Sequence, residues 1–364
     1  MKQVNCTCGD HPILVQDFHK PYAPGSEEWQ LRQSRFEAEL QTVRTHNAGS
    51  SSFKMGMNAM SDLSPEERAT KFGSHKALLR AQRDGVAITD SKPLSLPAAV
   101  RSMPKDQLPA EVDWRTKGVA TAVKDQGHCG SCWAFASTAT LESHVAINTG
   151  VLADLSPQQL VSCAANPQHC GGTGGCQGSV PELAFDYIQK NGMTSEWLYP
   201  YNSYTGASNG ECVYNTTSTP PAAFLTGHVK LTANSVTEVM QAVATQGPLA
   251  VNVAATPWMS YESGVFDGCD FNKNIDINHV VVLMGYGTDA ATGKDYWLIR
   301  NSWSPMWGEK GYIRLLRHSE EQKQCGTDST PLDGVGCDGG STSDTVCGQC
   351  GVLFDTSYPT GARA

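Results

Sequence analysis

Between residues 25 and 47 the chain reads GSEEWQLRQSRFEAELQTVRTHN, with Glu28, Arg32, Phe36, Leu40, Val43 and Asn47 at three- and four-residue intervals. That spacing lays them along one face of a helix. Ser64-Pro65-Glu66-Glu67 reads as a second helix start, with serine as N-cap, proline in the first helical position and glutamate in the third. Residues 1–88 therefore form a charged, helical unit. The stretch 89–107 carries three prolines and few large apolar residues in helical register, which predicts a linker with a cleavage site. From 108 the texture changes. A helix is predicted through Ala134, Thr138, Leu141 and Val145, ending near Gly150, with further helices at SPQQLVSCA and PELAFDYIQKNG. In the last third LAVNVAA, HVVVLMGYG, DYWLIRNSW and GYIRLLR are short, glycine-punctuated apolar runs and predict strands. The fold class is α+β, with a helical half, a barrel-like sheet half and a cleft between them, a common place for a binding site.

A length of 364 residues fits two or three units rather than one core. The net charge of −9 disfavours a nucleic-acid partner, which calls for a basic face. No apolar run reaches the length of a membrane span, and the first residues lack a signal-peptide core, so the expectation is a chain that begins after a removed signal. Cysteine usage supports export. Eleven of the thirteen cysteines follow residue 128, and ten paired plus one free is the natural partition in an oxidising compartment. The glycosylation triplets at Asn5 and Asn215 agree, pointing to a lysosome-like vacuole or to secretion.

The odd sulfur directs attention to Cys129-Gly130-Ser131-Cys132-Trp133. Taken alone, a cysteine is most often a buried apolar group or half of a disulfide, and a CxxC pair can hold zinc or cycle as a redox couple. Matching histidine spacing is missing and tryptophan follows the second cysteine, which argues against metal; no metal and no cofactor are expected. The pentapeptide fits the C-G-[SA]-C-[WY] signature of papain-like enzymes, which expects a histidine and an asparagine some 130 to 150 residues downstream. His279 lies 147 positions past Cys132, and Asn301 lies 169 past it, somewhat beyond that window. Together with VDWRTKGVATAVKDQGHCGSCWAF, INHVVVLMGYG and YWLIRNSWSPMWGEKGYIRL, the chain resembles the papain-like cysteine proteases, in particular the cathepsin L group. A catalytically dead homologue would normally have lost one of Gln126, Cys132, His279 or Asn301, and all four are present.

The resemblance implies a cysteine endopeptidase, monomeric, acting on protein or peptide substrates and open to cystatin-like inhibitors. Cys132 is expected as nucleophile at a helix start, His279 as its imidazolium partner, Asn301 as the group that orients the ring, and Gln126 as oxyanion donor. Trp303 would shield the His–Asn bond and Trp307 would line the primed side. Gly178, Ser179, Val180, Pro181, Asn252, Ile277, Val280 and Asp355 are expected to bind substrate. The last six would line an apolar P2 subsite, with Asp355 able to accept a basic side chain if it faces the pocket. Residues 28–62 resemble the family's inhibitory pro-segment, with Glu39 in place of the usual asparagine and Met60 in place of the usual phenylalanine. Such a segment implies a zymogen, plugged in the non-productive direction and opened at acidic pH. The resemblance further implies disulfides Cys129–Cys176, Cys163–Cys212 and Cys269–Cys350. Among the four cysteines left, Cys325–Cys337 with Cys170–Cys347 is one of three possible pairings. The peptidase domain would span 108–364, including a long insert at 325–349. That insert reads either as a flap near the non-primed end of the cleft or as a decorated surface loop.

Overall fold

The structure, a computed structural model, describes residues 11–73 and 92–364. Cys6, Cys8 and the Asn5 triplet lie outside the described residues, as does part of the predicted linker. The N-terminal unit contains α1 (His11–Asp17), α2 (Glu27–Ala48), β1 (Phe53–Met55) and α3 (Pro65–Ala69). Ser26 caps α2 by accepting from Trp29 N, and Ser64 with Glu67 forms the reciprocal cap expected at α3. The α2 face behaves as its spacing predicts: Phe36 and Val43 are buried, Arg32 turns to Glu28 and Glu67, and Asn47 bonds both backbone groups of Met55. Helix α1 carries too few residues for a periodicity signal. It is held by burial of Leu14 against Phe36, Val43 and Met57, tertiary packing that stabilises a helix too short to persist alone.

Next come α4 (Ala98–Arg101), β2 (Val112–Asp113), α5 (Cys132–Thr149), α6 (Pro157–Cys163), α7 (Pro181–Asn191), β3 (Gly227–Lys230), α8 (Val236–Thr245), β4 (Leu249–Val253) and β5 (Tyr261–Phe266). The chain ends with β6 (His279–Thr288), β7 (Asp295–Arg300), β8 (Tyr312–Leu316), β9 (Cys325–Asp328), β10 (Asp344–Cys347) and β11 (Thr356–Thr360). One sheet runs β1-β5-β8-β7-β6-β4-β11-β3, with β2 paired to β6. Among the described residues no pairing joins its two ends, so the sheet half is open rather than a closed barrel.

Strand β6 is the wall between two cores. Val281 and Leu283 face the core shared with α8, whereas Val280, Val282 and Met284 face the core shared with α5, α6 and α7. Alternation across a strand buried on both faces accounts for its unbroken apolar sequence. Helix α5 is central for the same reason: every residue from Cys132 to Ala146 is buried, and the helix stops at Gly150 in a left-handed conformation.

Part of the predicted linker is docked instead of loose. Leu94 N donates to His228 O at 2.8 Å, Lys230 N donates to Leu94 O at 3.0 Å, and Gln241 Nε2 donates to the carbonyls of Arg101 and Met103. The disulfides Cys129–Cys176, Cys163–Cys212 and Cys269–Cys350 are present. The other four cysteines pair as Cys170–Cys337 and Cys325–Cys347, which corrects the pairing of Cys325 with Cys337. The reason is register: antiparallel pairing of β9 and β10 sets Cys325 opposite Cys347, leaving Cys337 in the intervening loop to reach Cys170. Cys132 is the one free cysteine among the described residues. Asn215 is exposed.

Candidate active site

Cys132 opens α5, whose N-cap Ser131 supplies no side-chain bond, so the first-turn N–H groups and the helix dipole favour negative charge there. The turn before it tolerates only glycine at 130: a Cβ there would stand 2.6 Å from both Cys176 O and Phe72 O. The Cys129–Cys176 disulfide and a Gly130 N to Cys176 O bond of 2.9 Å tie this turn to the neighbouring loop.

His279 opens β6, and its Nε2 lies 2.8 Å from Asn301 Oδ1. Ser302 N–H donates to the same Oδ1 at 2.8 Å, which identifies that atom as the oxygen. Asn301 therefore accepts, Nε2 of the neutral ring carries the proton, and Nδ1 keeps the lone pair. Trp303 stacks on the imidazole with ring centroids 4.7 Å apart, and Trp307 meets Trp303 edge-on at 5.2 Å. Gln126 is oriented from behind, its Oε1 accepting from Ser302 Oγ at 2.6 Å while Nε2 donates to Cys129 O at 2.9 Å. Ser302 carries no motif signal that marks it for this role; only the fold reveals it.

The second donor bond of Gln126 Nε2 goes to Lys71 O at 3.0 Å, and Trp303 Nε1 reaches the same carbonyl at 3.3 Å. Phe72 lies edge-on to His279 and to Trp303, with centroids at 6.0 and 5.9 Å. Gly73 N donates to Asn278 O at 3.0 Å, and a Cβ on Gly73 would touch Cys132 Sγ at 3.0 Å. The N-terminal unit thus lays Lys71-Phe72-Gly73 directly over the thiol. No periodicity distinguishes these three residues in the sequence. Burial under this plug pushes the Cys132 thiol up to about 11, against opposing backbone hydrogen bonds at Val280, Trp133, Gly73 and Cys132 itself. It also pushes His279 down to about 4, against the Asn301 bond. Both groups are neutral while plugged, so the plugged protein holds no ion pair between them.

The unit is held by β1, which pairs antiparallel with β5, and by Gly56 N to Ser260 O at 2.8 Å and Asn58 Nδ2 to Met259 O at 2.8 Å. Glu39 bonds Ser260 Oγ and Arg68, a contact across the interface. Arg32 grips Glu67 through two bonds of 2.5 and 2.6 Å. Burial pushes Glu67 up, but Arg32 and the Ser64 N–H outweigh it and hold the carboxyl below its usual range.

Of the six residues expected around P2, backbone pairing links Asn252, Val280 and Asp355. Asn252 and Val280 are partners across β4 and β6, and Asn252 N bonds Asp355 O at 3.0 Å. Val180 caps α7, and Pro181 begins it. Glu182, the next residue, meets Lys230 Nζ at 2.9 Å, and Lys230 meets Asp355 at 2.9 Å. Asp355 is therefore already partnered by a cation. Burial, then the nearby Glu182, push its carboxyl up to about 6 against the pull of Lys230.

Two family models match the chain: Papain family cysteine protease over residues 108–335 and Cathepsin propeptide inhibitor domain over residues 15–68. Cysteine endopeptidase Rep1 of Oryza sativa subsp. japonica is 37% identical over 328 residues, covering 89% of this chain and 76% of the relative. Cathepsin L-like proteinase of Phaedon cochleariae is 35% identical over 322 residues, covering 86% and 91%. Among solved structures, the stem bromelain precursor matches with a TM-score of 0.72 and 31% identity, covering 96% of this chain and 97% of that one. Digestive procathepsin L 3 of Tenebrio molitor larval midgut matches with a TM-score of 0.72 and 29% identity over the same shares.

Proposed function

This chain belongs to the papain family of cysteine proteases, as a zymogen with a cathepsin-type propeptide inhibitor domain, and from that premise we propose that Cys132 attacks the scissile carbonyl with His279 as its acid–base partner. The observation that carries the reading is the one free, buried thiol among the described residues, at a helix start and covered by the propeptide where a substrate would lie. When the plug leaves, water re-enters and the helix start favours thiolate over thiol. The thiolate adds to the carbonyl carbon. Gln126 Nε2 and the Cys132 N–H donate to the developing oxyanion. His279 gives its proton to the leaving amine, producing a thioester, then takes one from the water that hydrolyses it. Asn301 holds Nε2–H throughout, leaving Nδ1 for proton exchange with sulfur.

In the plug, residue numbers rise from Lys71 on the Trp303 side to Gly73 on the Gly178 side. The resemblance implies a productive peptide with its N-terminal residues on the Gly178 side, so the plug would run opposite to substrate and present no cleavable bond in register. Release is acid-driven. A carboxyl held low in the folded state, as Glu67 is, stabilises the folded unit above its ordinary value near 4.5 and loses that contribution as pH falls further. The zymogen is expected to stay silent at pH 7 and to open below about pH 4.5. Processing within 89–107 would then free 108–364, and an epoxide inhibitor of cysteine proteases should label Cys132 alone. A fully processed protein with unlabelled Cys132 would sink the reading. Five disulfides and the exposed Asn215 support an oxidising compartment, either a lysosome-like vacuole or the exterior, with a glycan on Asn215.

The P2 pocket is proposed to prefer leucine, valine or phenylalanine. A basic P2 side chain would have to compete with Lys230 for Asp355. Peptides with arginine at P2 should be cleaved at least about tenfold less efficiently than those with leucine, and Lys230→Ala should narrow the gap by freeing Asp355. Equal cleavage of both peptides by the wild type would show that this pairing does not control selectivity.

A further inference from the structure

Loop 329–343, between β9 and β10, reaches from the sheet half to the helical half. On the sheet side Val335 N donates to Ile277 O at 3.0 Å, Ile277 N donates to Asp328 Oδ2 at 3.2 Å, and Asn274 Nδ2 donates to Thr330 Oγ1 at 2.8 Å. On the helical side Gly171 N donates to Gly336 O at 3.1 Å and Asp338 N donates to Gln168 O at 2.9 Å. His169 pairs with Asp338 at 2.8 Å, and Cys337 is covalently joined to Cys170. Two consecutive residues, Val335 and Gly336, therefore span from one wall to the other. Two extended residues span at most about 7 Å, so with the two hydrogen bonds the gap is at most about 13 Å.

The crossing falls at the substrate site. Ile277 is one of the residues assigned to the P2 pocket. On the opposite wall Gly171 lies against Ser179 and Val180, both expected to bind substrate: a Cβ there would stand 2.7 Å from Ser179 O and 3.1 Å from Val180 Cγ1. The loop fits closely because it is glycine where it touches, since a Cβ on Gly334 would stand 2.2 Å from Ile277 O. A peptide strand needs nearly 5 Å of lateral room from each neighbouring backbone. Two strands side by side between two walls would need three such spacings, more than about 14 Å, so a gap of at most about 13 Å already bridged by the loop's own backbone leaves no second path for substrate at that level.

We propose that residues 331–338 are a disulfide-tethered strap that ends the non-primed side of the cleft just beyond P2, so that this enzyme favours peptides with a short segment N-terminal to the scissile bond. The strap thereby sets length selectivity in addition to side-chain selectivity. This rests on the peptidase reading above and refines it. Antiparallel pairing of β9 with β10 and the Cys325–Cys347 bond anchor the base of the loop, while the Cys170–Cys337 bond anchors its far end. The long glycine-rich loop at 168–178 and the insert at 325–349 are thus two halves of one device.

The test uses the activated enzyme and two amide substrates with identical P2 and P1 residues, one acetyl-capped at P2 and the other extended by two residues to P4. Wild type should cleave the extended substrate at least tenfold less efficiently, with the difference mainly in KM. The Cys170→Ser/Cys337→Ser double variant, whose strap is untethered, should recover at least threefold of that loss and leave the short substrate unchanged. Should the double variant fail to fold, His169→Ala loosens the same end of the strap without disturbing a disulfide and should recover part of the loss. Equal or faster cleavage of the extended substrate by wild type would overturn the strap while leaving the peptidase reading intact. Absence of turnover on both substrates would overturn both.

Discussion

Cys132→Ala is expected to lower kcat by about 10⁴-fold or more on any peptide substrate. No other described residue supplies a free thiol, and no water held by His279 replaces the covalent step that the thioester provides. Folding should survive. The side chain is fully buried, but only one heavy atom is removed, so the loss of stability is about 1 kcal/mol. Gly73, whose approach is limited by Sγ, should remain docked and the zymogen should keep its neutral-pH compactness. The check is steady-state turnover of acid-processed protein beside a thermal melt of the zymogen. Residual activity above one per cent, in a variant that melts like wild type, would remove Cys132 from the nucleophile role.

The second large effect is expected at Gln126. Loss of one oxyanion donor typically costs about 10²- to 10³-fold in kcat, because the donor acts on charge that exists only in the transition state. Gln126→Ala should show that loss in kcat with KM little changed. The same amide holds Lys71 O in the plugged protein, so the variant should also release its propeptide at higher pH than wild type. The two effects have opposite practical signs: an easier opening and a poorer enzyme. Ser302 is a positioning residue, acting through its bond to Gln126 Oε1. Ser302→Ala should reduce kcat about tenfold, less than loss of the amide itself. Unchanged kcat in Gln126→Ala, measured on protein shown to be folded, would assign the oxyanion to other donors.

Comparison of particular elements shows how far the sequence reaches. The inward face of α2, the start of α3, the end of α5 at Gly150 and the strands β4, β6, β7 and β8 are written in short-range patterns. Capping chemistry and side-chain periodicity act within a turn or a pleat, so a few adjacent residues suffice to specify them. The free thiol at a helix start was legible for a similar reason, since Cys132 sits in a contiguous motif with Gly130 before it and Trp133 after it. Helix α1 was not legible, because seven residues hold a helix only when Leu14 finds α2. The docking of Leu94 onto β3 was equally hidden, since the prolines around it signal only that regular structure is interrupted.

By itself, then, the sequence marked the candidate residues for the chemistry, which half of the chain is helical and which is sheet, and that one sulfur of eleven stands apart. Tertiary structure alone decided which atoms those residues meet. It placed Lys71-Phe72-Gly73 over the thiol, put Ser302 behind Gln126, gave Lys230 to Asp355, and joined Cys337 to Cys170. Each of these contacts links residues far apart along the chain. Local periodicity specifies the direction in which a side chain points; the identity of the group it reaches depends on how β6, α5 and the two loops are brought together.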